Sequence, residues 1–351
     1  MGATYLESGR ICPDNGAVES LAVCGVPNSW ETALVLAERK LIERIRRLAQ
    51  TTGHRGVVRG IGDDAAILQA ARGHQLLVTT DLCIEGVHFR REWHPARCVG
   101  HRCLARGLSD IAAMGGEPIA CFLSLGLPPK LPQRWVDNFL KGLVHLAAQS
   151  GVALAGGDIS SSEKVMVDIV VTGQVPAKKA VLRSGARPGD RIFVTGNLGG
   201  STAVLRRLYA GNKVAPATNN RHFYPVPRLG AGRWLRQHGA TAMIDLSDGL
   251  SVDLTHICEE SHVNATVDAS RLPVAKNADL ALALHGGEDY ELLFTISAKT
   301  KLPSKIAGIR ITEIGEILPQ TRSHRRVHLC GLDGSIRVLQ PAGWEHFSKT
   351  C

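Results

Sequence analysis

Apolar residues recur along the chain at two different spacings, and these spacings predict which segments are strands and which are helices. Short apolar runs predict strands over Leu76–Thr80, Ile119–Leu127, Val152–Ala155, Val165–Val175, Arg191–Thr195, Ala242–Ile244, Asn264–Val267 and Leu292–Ile296. Apolar residues at helical spacing predict helices over Ala33–Gln50, Arg97–Met114, Gln133–Gln149, Thr202–Ala210, Pro227–His238, Ser251–Glu260 and Ala278–Leu284. This alternation predicts a mixed α/β (α+β) fold.

The length of 351 residues exceeds what one compact core usually holds and favours two domains. The segment Pro176–Asp190, which contains Pro, Gly and basic residues, reads as the connection between them. We therefore expect an amino-terminal domain over residues 31–175 and a carboxy-terminal domain over residues 176–351. Residues 1–30 show no clear periodicity, and we interpret them as a loose extension.

Composition narrows the class of protein. The chain is 44% hydrophobic and 21% charged, as globular proteins are, and its net charge of +9 favours anionic partners. No basic stretch is interleaved with aromatic residues, and no apolar run approaches the roughly 20 residues of a membrane span, so we expect neither a nucleic acid nor a membrane as partner. Nine Cys without a C-x-x-C pattern indicate free thiols in a reducing compartment, for which the cytoplasm is the expected location.

Carboxylates stand beside Gly, Ser or Thr where apolar runs end. This holds for Gly62-Asp63-Asp64, Thr79-Thr80-Asp81, Ser109-Asp110, Gly156-Gly157-Asp158, Asp245-Leu246-Ser247-Asp248-Gly249 and Gly286-Gly287-Glu288-Asp289. Any one such pair is explained by a turn. Six of them at the ends of apolar runs favour a nucleotide site in which Mg²⁺ bridges carboxylates to phosphates.

Other nucleotide and metal motifs are absent or weak. The chain has no G-x-x-x-x-G-K-[ST] loop and no G-x-S-x-G elbow. Gly60–Ala65 formally fits G-x-G-x-x-A, but its two Asp would repel a pyrophosphate that no metal screens. The residues His94, Cys98, His101 and Cys103 are better explained as the start of a partly buried helix than as a zinc site.

An ordered set of motifs resembles the thiamine-monophosphate kinase family from about residue 33 to the carboxy terminus. The motifs are GIGDDAAIL (Gly60–Leu68), TTDLCIEGVHF (Thr79–Phe89), LSDIAAMGGEP (Leu108–Pro118), GGD (Gly156–Asp158), LRSGARPGD (Leu182–Asp190), IDLSDGLSVDL (Ile244–Leu254), GGEDYELLFT (Gly286–Thr295) and GWEHF (Gly343–Phe347). The resemblance implies the two-domain fold of the aminoimidazole ribonucleotide synthetase superfamily. It also implies a homodimer paired through the amino-terminal domains, with ATP bound near that interface.

The resemblance further implies roles for individual residues. The positions that match Mg²⁺ ligands of the family are Asp64, Thr79, Thr80, Asp81, Asp110, Asp158, Asp245 and Asp248. Those that match ATP contacts are Gly157, Asp158, Arg183 and Ser247. Those that match contacts to thiamine monophosphate are His88, Glu288 and Trp344, although a lone His or Trp is also common in a core.

The implied reaction is the ATP- and Mg²⁺-dependent phosphorylation of thiamine monophosphate to thiamine diphosphate. No general base is expected, because a phosphate monoester is already largely dianionic at neutral pH. The chain departs from the family where Ile159-Ser160-Ser161 follows the Gly-Gly-Asp motif in place of Thr-Thr-Arg. Two alternatives stay open at this point: a related ATP-dependent synthetase, and a non-catalytic sensor of nucleotide or thiamine phosphate.

Overall fold

Two β-sheets organise the computed structural model, which describes residues 38–320 and 326–344. The predicted extension over residues 1–30 and the start of the first predicted helix lie outside the described residues. The elements of the amino-terminal half are α1 (Glu38–Ala49), β1 (Val57–Arg59), β2 (Ile67–Leu68), β3 (His74–Ile84), α2 (Ala96–Ala113), β4 (Glu117–Leu127), α3 (Gln133–Ser150), β5 (Ala153–Ser161) and β6 (Met166–Pro176).

The carboxy-terminal half continues the alternation of strands and helices. Its elements are β7 (Asp190–Thr195), α4 (Gly200–Tyr209), α5 (Asn220–Phe223), α6 (Leu229–Gln237), β8 (Ala240–Asp245), α7 (Leu250–Glu260), β9 (Asn264–Asp268), α8 (Leu280–His285), β10 (Leu292–Ser297), β11 (Lys305–Ile306), β12 (Ile309–Leu318), β13 (Val327–Cys330) and β14 (Ile336–Val338). The mixed α/β prediction is confirmed, and every strand and helix predicted within the described residues is present.

The amino-terminal sheet has four strands in the order β3-β6-β4-β5, and its two faces differ sharply. The pairs β3–β6 and β4–β6 are antiparallel, whereas β4–β5 is parallel. One face packs on the helices and buries Leu125, Ile169 and Val171 in the core. The opposite face leaves apolar side chains in solvent, with Leu76 50% and Val78 68% exposed. A sheet with one apolar face open is incomplete as a two-layer structure.

The carboxy-terminal sheet has the strand order β14-β13-β9-β12-β7-β10-β8, with β11 paired to β12. Helices cover both of its faces, because Ile244 and Leu293 pack in the same core as α7, and Met243 and Phe294 pack with α6. Two-sided burial explains why these strands appear in the sequence as continuous apolar runs.

Helix α2 joins the two halves. It packs against the amino-terminal sheet through residues such as Leu104 and Leu108, and its last turn, Ala112 and Ala113, lies in the core of the carboxy-terminal half. Most of its residues are buried, including the polar Arg102 and Ser109. A helix buried on all sides places its polar residues against partners, and here those partners line a cavity. Among the described helices, none combines the length and hydropathy needed to cross a membrane.

Candidate active site

A cavity of about 550 Å³ lies between the two halves. Its amino-terminal walls are the end of β3, the loop that follows β3, and one face of α2. Its carboxy-terminal walls are α4, the loop after β8, the Gly-Gly-Glu-Asp loop before β10, and residues 342–344. Five of the residues matched to metal ligands meet here. Four of them, Asp81, Asp110, Asp245 and Asp248, line the cavity, and the fifth, Thr79, forms a hydrogen bond with Asp110.

Three carboxylates form the floor of this cavity, each delivered by a different element. Asp81 comes from β3, Asp110 from α2 and Asp245 from the last position of β8. Each is held by a neighbour: Arg106 Nε donates to Asp81 Oδ1 at 3.2 Å, Thr79 Oγ1 donates to Asp110 Oδ2, and Ser109 Oγ donates to Asp245 Oδ2 at 2.7 Å.

Two of these carboxylates, Asp110 and Asp245, have raised pKa values. Burial, followed by the negative charge of Asp110, raises the pKa of Asp245 to about 7. Burial also raises the pKa of Asp110 to about 6, with Asp81 adding to the shift and Thr79 opposing it. Like charges in a buried site favour a bound cation, because the cation replaces their repulsion with attraction.

The segment Asp245–Gly249 presents Ser247 and Asp248 to the cavity. Its backbone is fixed by the neighbouring loop, since Glu288 N donates to Ser247 O at 2.8 Å and Tyr290 N donates to Leu246 O at 2.9 Å. Trp344 N donates to Asp248 O at 3.2 Å, which brings the last described segment against the same loop. Trp344 lines the cavity and is 55% exposed, so it is not a buried core residue.

Glu288 lies in a strained loop, and its carboxylate is paired with Arg102. Its φ of 62° and the φ of 49° at Tyr290 are left-handed, which typically costs about 1–3 kcal/mol each outside glycine. Both carboxylate oxygens accept from Arg102 Nη2, at 2.8 and 2.9 Å. Burial opposes ionisation of Glu288, but Arg102, His222 and Arg106 outweigh it and lower the pKa of Glu288 to about 2.

Two buried imidazoles line the cavity beside this ion pair. His94 Nε2 lies 3.0 Å from His222 Nε2, and His222 Nδ1 lies 2.9 Å from Ser201 Oγ. Burial and the charge of Arg102 lower the pKa of His94 to about 4 and that of His222 to about 2. Both rings are therefore neutral near pH 7.

At the rim of the cavity the guanidinium of Arg90 lies against two aromatic rings, which also contact each other edge to face at 4.8 Å between centroids. Its Cζ is 4.5 Å from the centroid of Trp93 and 5.2 Å from that of Tyr209. His88, one of the residues matched to a substrate contact, also lines this part of the cavity, and its Nδ1 accepts from Ile84 N at 3.1 Å.

The remaining matched residues lie elsewhere. Asp64 is exposed in the loop before β2, and Gly157 and Asp158 are exposed on β5. Thr80 Oγ1 donates to Asp168 Oδ1 at 2.9 Å on the open face of the amino-terminal sheet. Arg183 is exposed and does not line the cavity, although its charge acts on Asp110 and Asp245.

The described residues contain no preassembled group of three or more His, Cys, Asp or Glu arranged to hold a metal ion. The acidic floor nevertheless fits a divalent cation. Asp81 Oδ2 is buried without a hydrogen-bond partner in this part of the chain, and its neighbours Asp110 and Asp245 are oxygen donors of the kind that Mg²⁺ prefers.

Sequence reasoning missed several residues that shape this site, chiefly Arg102, Arg106, Ser109, His222 and Tyr209. One signal was present: Arg102, Arg106 and Asp110 are spaced four residues apart and therefore follow one face of α2. Nothing comparable marks His222 or Tyr209, which reach the cavity only through the packing of α4 and α5 against α2.

Comparisons with known proteins agree with this architecture. Residues 62–175 match the family model of the AIR synthase related protein, N-terminal domain, and residues 187–328 match that of its C-terminal domain. The thiamine-monophosphate kinase of Bacillus subtilis (strain 168) is 34% identical over 85% of this chain and 96% of its own length. That of Escherichia coli (strain K12) is 36% identical over 82% of this chain and 92% of its own length.

Solved structures extend the similarity to three dimensions. The thiamine-monophosphate kinase of Stenotrophomonas maltophilia K279a is 37% identical, with a TM-score of 0.75 over 85% of this chain and 97% of its own. AaThiL complexed with AMPPCP and TMP is 31% identical, with a TM-score of 0.71 over 88% of this chain and 97% of its own. The hydrogenase maturation protein HypE in complex with ATP, at 17% identity and a TM-score of 0.72, shares the fold. The chain belongs to the thiamine-monophosphate kinase family, within the two-domain fold of the AIR synthase related proteins.

Proposed function

We propose that this protein is an enzyme that transfers the γ-phosphoryl group of ATP to thiamine monophosphate, giving thiamine diphosphate and ADP. The observation that carries the proposal is the acidic floor of Asp81, Asp110 and Asp245 inside a cavity between the two halves. Its support from outside the chain is membership of a family in which AaThiL was solved with both AMPPCP and TMP bound.

The residues that would hold Mg²⁺ are Asp81, Asp110, Asp245 and Asp248 of the cavity, with Asp64, Thr79, Thr80 and Asp158 as further metal ligands. When bound, Mg²⁺ would neutralise the phosphate oxygens and stabilise charge on the transferring group. The chain itself contributes the positions of these carboxylates, which Arg106, Thr79 and Ser109 fix by hydrogen bonds.

The chemical step does not require a side chain of the protein to remove a proton from the attacking phosphate. An oxygen of the thiamine monophosphate phosphate attacks the γ-phosphorus in line, a P–O bond forms there, and the bond to the β,γ-bridging oxygen breaks to release ADP. Because the attacking phosphate is largely dianionic at neutral pH, the side chains have to align two anions and screen their charges.

The two substrates approach from different sides in this proposal. ATP contacts come from Gly157, Asp158 and Ser247 with Arg183 near the acidic floor, and thiamine monophosphate contacts come from His88, Glu288 and Trp344 within the cavity. Gly157 suits a phosphate contact because its φ of 151° and its close approach to Leu123 O leave no space for a side chain. Glu288 reaches the substrate as half of its ion pair with Arg102.

The open face of the amino-terminal sheet supports a homodimer. Leu76, Val78, Leu82 and Met166 are 37–68% exposed on one face of this sheet, next to Thr80 and Asp158. A second copy of the same sheet would cover this apolar face and enclose the exposed site residues.

We also propose the boundary between domains at residues 175 and 176. A cytoplasmic location agrees with the free thiols of Cys83, Cys98, Cys103, Cys121, Cys258 and Cys330.

A turnover assay tests the proposed reaction. Purified protein is mixed with thiamine monophosphate, ATP and Mg²⁺, and thiamine diphosphate and ADP are quantified by chromatography. We expect the two products in equal amounts. Binding of both ligands with no thiamine diphosphate at saturation would instead identify a sensor, and ADP formed without thiamine diphosphate would point to a different acceptor.

A further inference from the structure

Arg106 places a permanent positive charge on the inner wall of the acidic cavity. It projects from α2, and its side chain is 19% exposed. Its Nε donates to Asp81 Oδ1 at 3.2 Å, which leaves the Nη1 and Nη2 groups at the far end of the guanidinium. Within the described part of the chain, no acceptor bonds to Nη1 or Nη2, so these donors are available to a ligand.

The other basic side chains of the cavity are paired, uncharged or at its rim. Arg102 gives Nη2 to both oxygens of Glu288 and Nη1 to the carbonyl of His222. Arg90 lies against the rings of Trp93 and Tyr209 at the rim. Burial lowers the pKa values of His94, His222 and His285, so these rings carry no charge near pH 7. Because Arg90 is exposed at the rim, Arg106 is, among the cavity residues that the structure describes, the arginine that has free donors beside the acidic floor.

We propose that Arg106 binds the phosphate group of the acceptor, thiamine monophosphate, through its Nη1 and Nη2 donors, an inference that rests on the proposed function. Asp81 fixes the guanidinium by accepting from Nε, and Arg106 itself lines the cavity, so its planar fork can bind a phosphate there through two donors. The acceptor phosphate then gives two non-attacking oxygens to Arg106 and keeps the third for the attack on ATP.

The acceptor phosphate is a better match than the phosphates of ATP. Arg106 shares its cavity with His88, Glu288 and Trp344, the residues proposed to contact thiamine monophosphate. Of the residues proposed to contact ATP, Gly157, Asp158 and Arg183 do not line this cavity, whereas Ser247 does. A dianion that is brought to a floor of carboxylates needs a positive charge beside it, and Arg106 provides that charge next to Asp81.

The test compares two ligands that differ only by the phosphate. Titration calorimetry would measure the dissociation constants of thiamine monophosphate and of thiamine for the wild type, Arg106→Gln and Arg106→Lys. The ratio of the two constants reports the contribution of the phosphate. We expect Arg106→Gln to reduce this ratio at least about tenfold, with Arg106→Lys in between, because a charged hydrogen bond of this kind is worth at least a factor of ten.

A purely structural role for Arg106 would weaken both ligands alike and leave the ratio unchanged, and that result would overturn the proposal. A loss of affinity confined to a non-hydrolysable ATP analogue would overturn it as well. Arg233→Gln is the matched control, since Arg233 also pairs with a carboxylate, Glu117, but lies away from the cavity.

The turnover assay separates this proposal from the function on which it rests. If the wild type makes thiamine diphosphate and Arg106→Gln keeps the wild-type ratio, the role of Arg106 alone is wrong. If the wild type neither turns over thiamine monophosphate nor prefers it to thiamine, the proposed function and the role of Arg106 are both wrong.

Discussion

At the scale of single residues, the acidic floor of the cavity conflicts with the stability of the empty protein. Asp245 is 4% exposed and lies close enough to Asp110 for their charges to interact. Such a pair lowers the free energy of unfolding unless a cation is bound between the carboxylates. Residues retained at this cost are typical of a functional site rather than of a core.

Asp245→Asn and Asp81→Asn should each lower the turnover number by on the order of 10²-fold or more, because removal of one preorganised charge from such a site has that effect. Without divalent ions, the melting temperature of Asp245→Asn should equal or exceed that of the wild type, since a repulsion is removed while size and shape are kept. Kinetics and calorimetry on the same preparations measure both effects.

Asp333→Asn is the control for these two variants, because Asp333 lies in an exposed turn before β14 and bonds to Ser335. Near-normal turnover of both site variants would show that these carboxylates only shape turns. A turnover number that partly recovers at high Mg²⁺ concentration would identify weakened metal binding as the defect.

The two buried imidazoles give a second prediction at this scale. His222 has a folded-state pKa of about 2, below its ordinary value of 6.5. The unfolded chain therefore binds the proton first as the pH falls, and the free energy of unfolding decreases below about pH 6. His222→Gln should remove about 1.4 kcal/mol per pH unit of this acid sensitivity between pH 6 and pH 4.

Urea denaturation at intervals of pH measures this difference between the variant and the wild type. Carboxyl groups with raised pKa values, such as Asp289 at about 7, act in the opposite direction in the same range but are common to both proteins and cancel. His256→Gln, in a partly exposed position on α7, is the control for the loss of one imidazole. Parallel curves for wild type and His222→Gln would contradict the prediction.

At the scale of elements, α2 packs on the amino-terminal sheet and also lines the cavity. The short distance between α2 and α3 depends on two glycines. A Cβ at Gly100 would lie 2.0 Å from Phe139 O, and a Cβ at Gly142 would lie 1.9 Å from Arg97 O. These contacts are with backbone, so the helices would have to separate to admit any side chain.

Gly142→Ala should therefore destabilise the fold. Alanine gains roughly 1 kcal/mol in helix propensity over glycine, but overpacking against a backbone carbonyl costs about 1–3 kcal/mol or more and outweighs it. Chemical denaturation measures the net loss. Gly53→Ala is the matched control, because no atom lies within 4 Å of a Cβ built there. An equally large loss of unfolding free energy in Gly53→Ala would show that the contact between α2 and α3 is not the cause.

Strand β12 shows where prediction from periodicity fails at this scale. It pairs with β7 on one side and β9 on the other, yet the sequence pattern did not identify it. Its register against β7 shifts between Glu313 and Gly315, and such a bulge breaks the alternation of apolar and polar residues on which strand prediction depends. The short strands β1, β2, β11, β13 and β14 were also missed, since two to four residues carry no periodic signal.

At the scale of the whole molecule, the open face of the amino-terminal sheet is the feature that a single chain leaves unresolved. Val78→Arg should convert a dimer into a monomer, because it would bury two opposing charges of the same sign at a self-complementary interface. Light scattering at micromolar concentration measures the mass. Ile336→Arg, at a similarly exposed apolar position on β14, should leave the mass unchanged, and a monomeric wild type would contradict the dimer itself.

The sequence by itself determined the class of fold, most of the elements and the identity of the acidic residues. These properties depend on local information: the spacing of apolar residues reports the element, and a carboxylate beside a glycine at the end of a strand reports a ligand-binding edge. The ordered motifs around Asp81, Asp110 and Asp245 also identify the family.

Only the tertiary structure decided which of these residues meet. Asp81, Asp110 and Asp245 are distant in the chain and come together because α2 packs against both sheets, whereas Asp64 and Asp158 stay on an exposed surface. The same packing gave Arg106 its inward position, engaged Glu288 with Arg102 and buried His94 against His222. Contacts of this kind arise from the burial of whole elements, and no local spacing of residues carries that information.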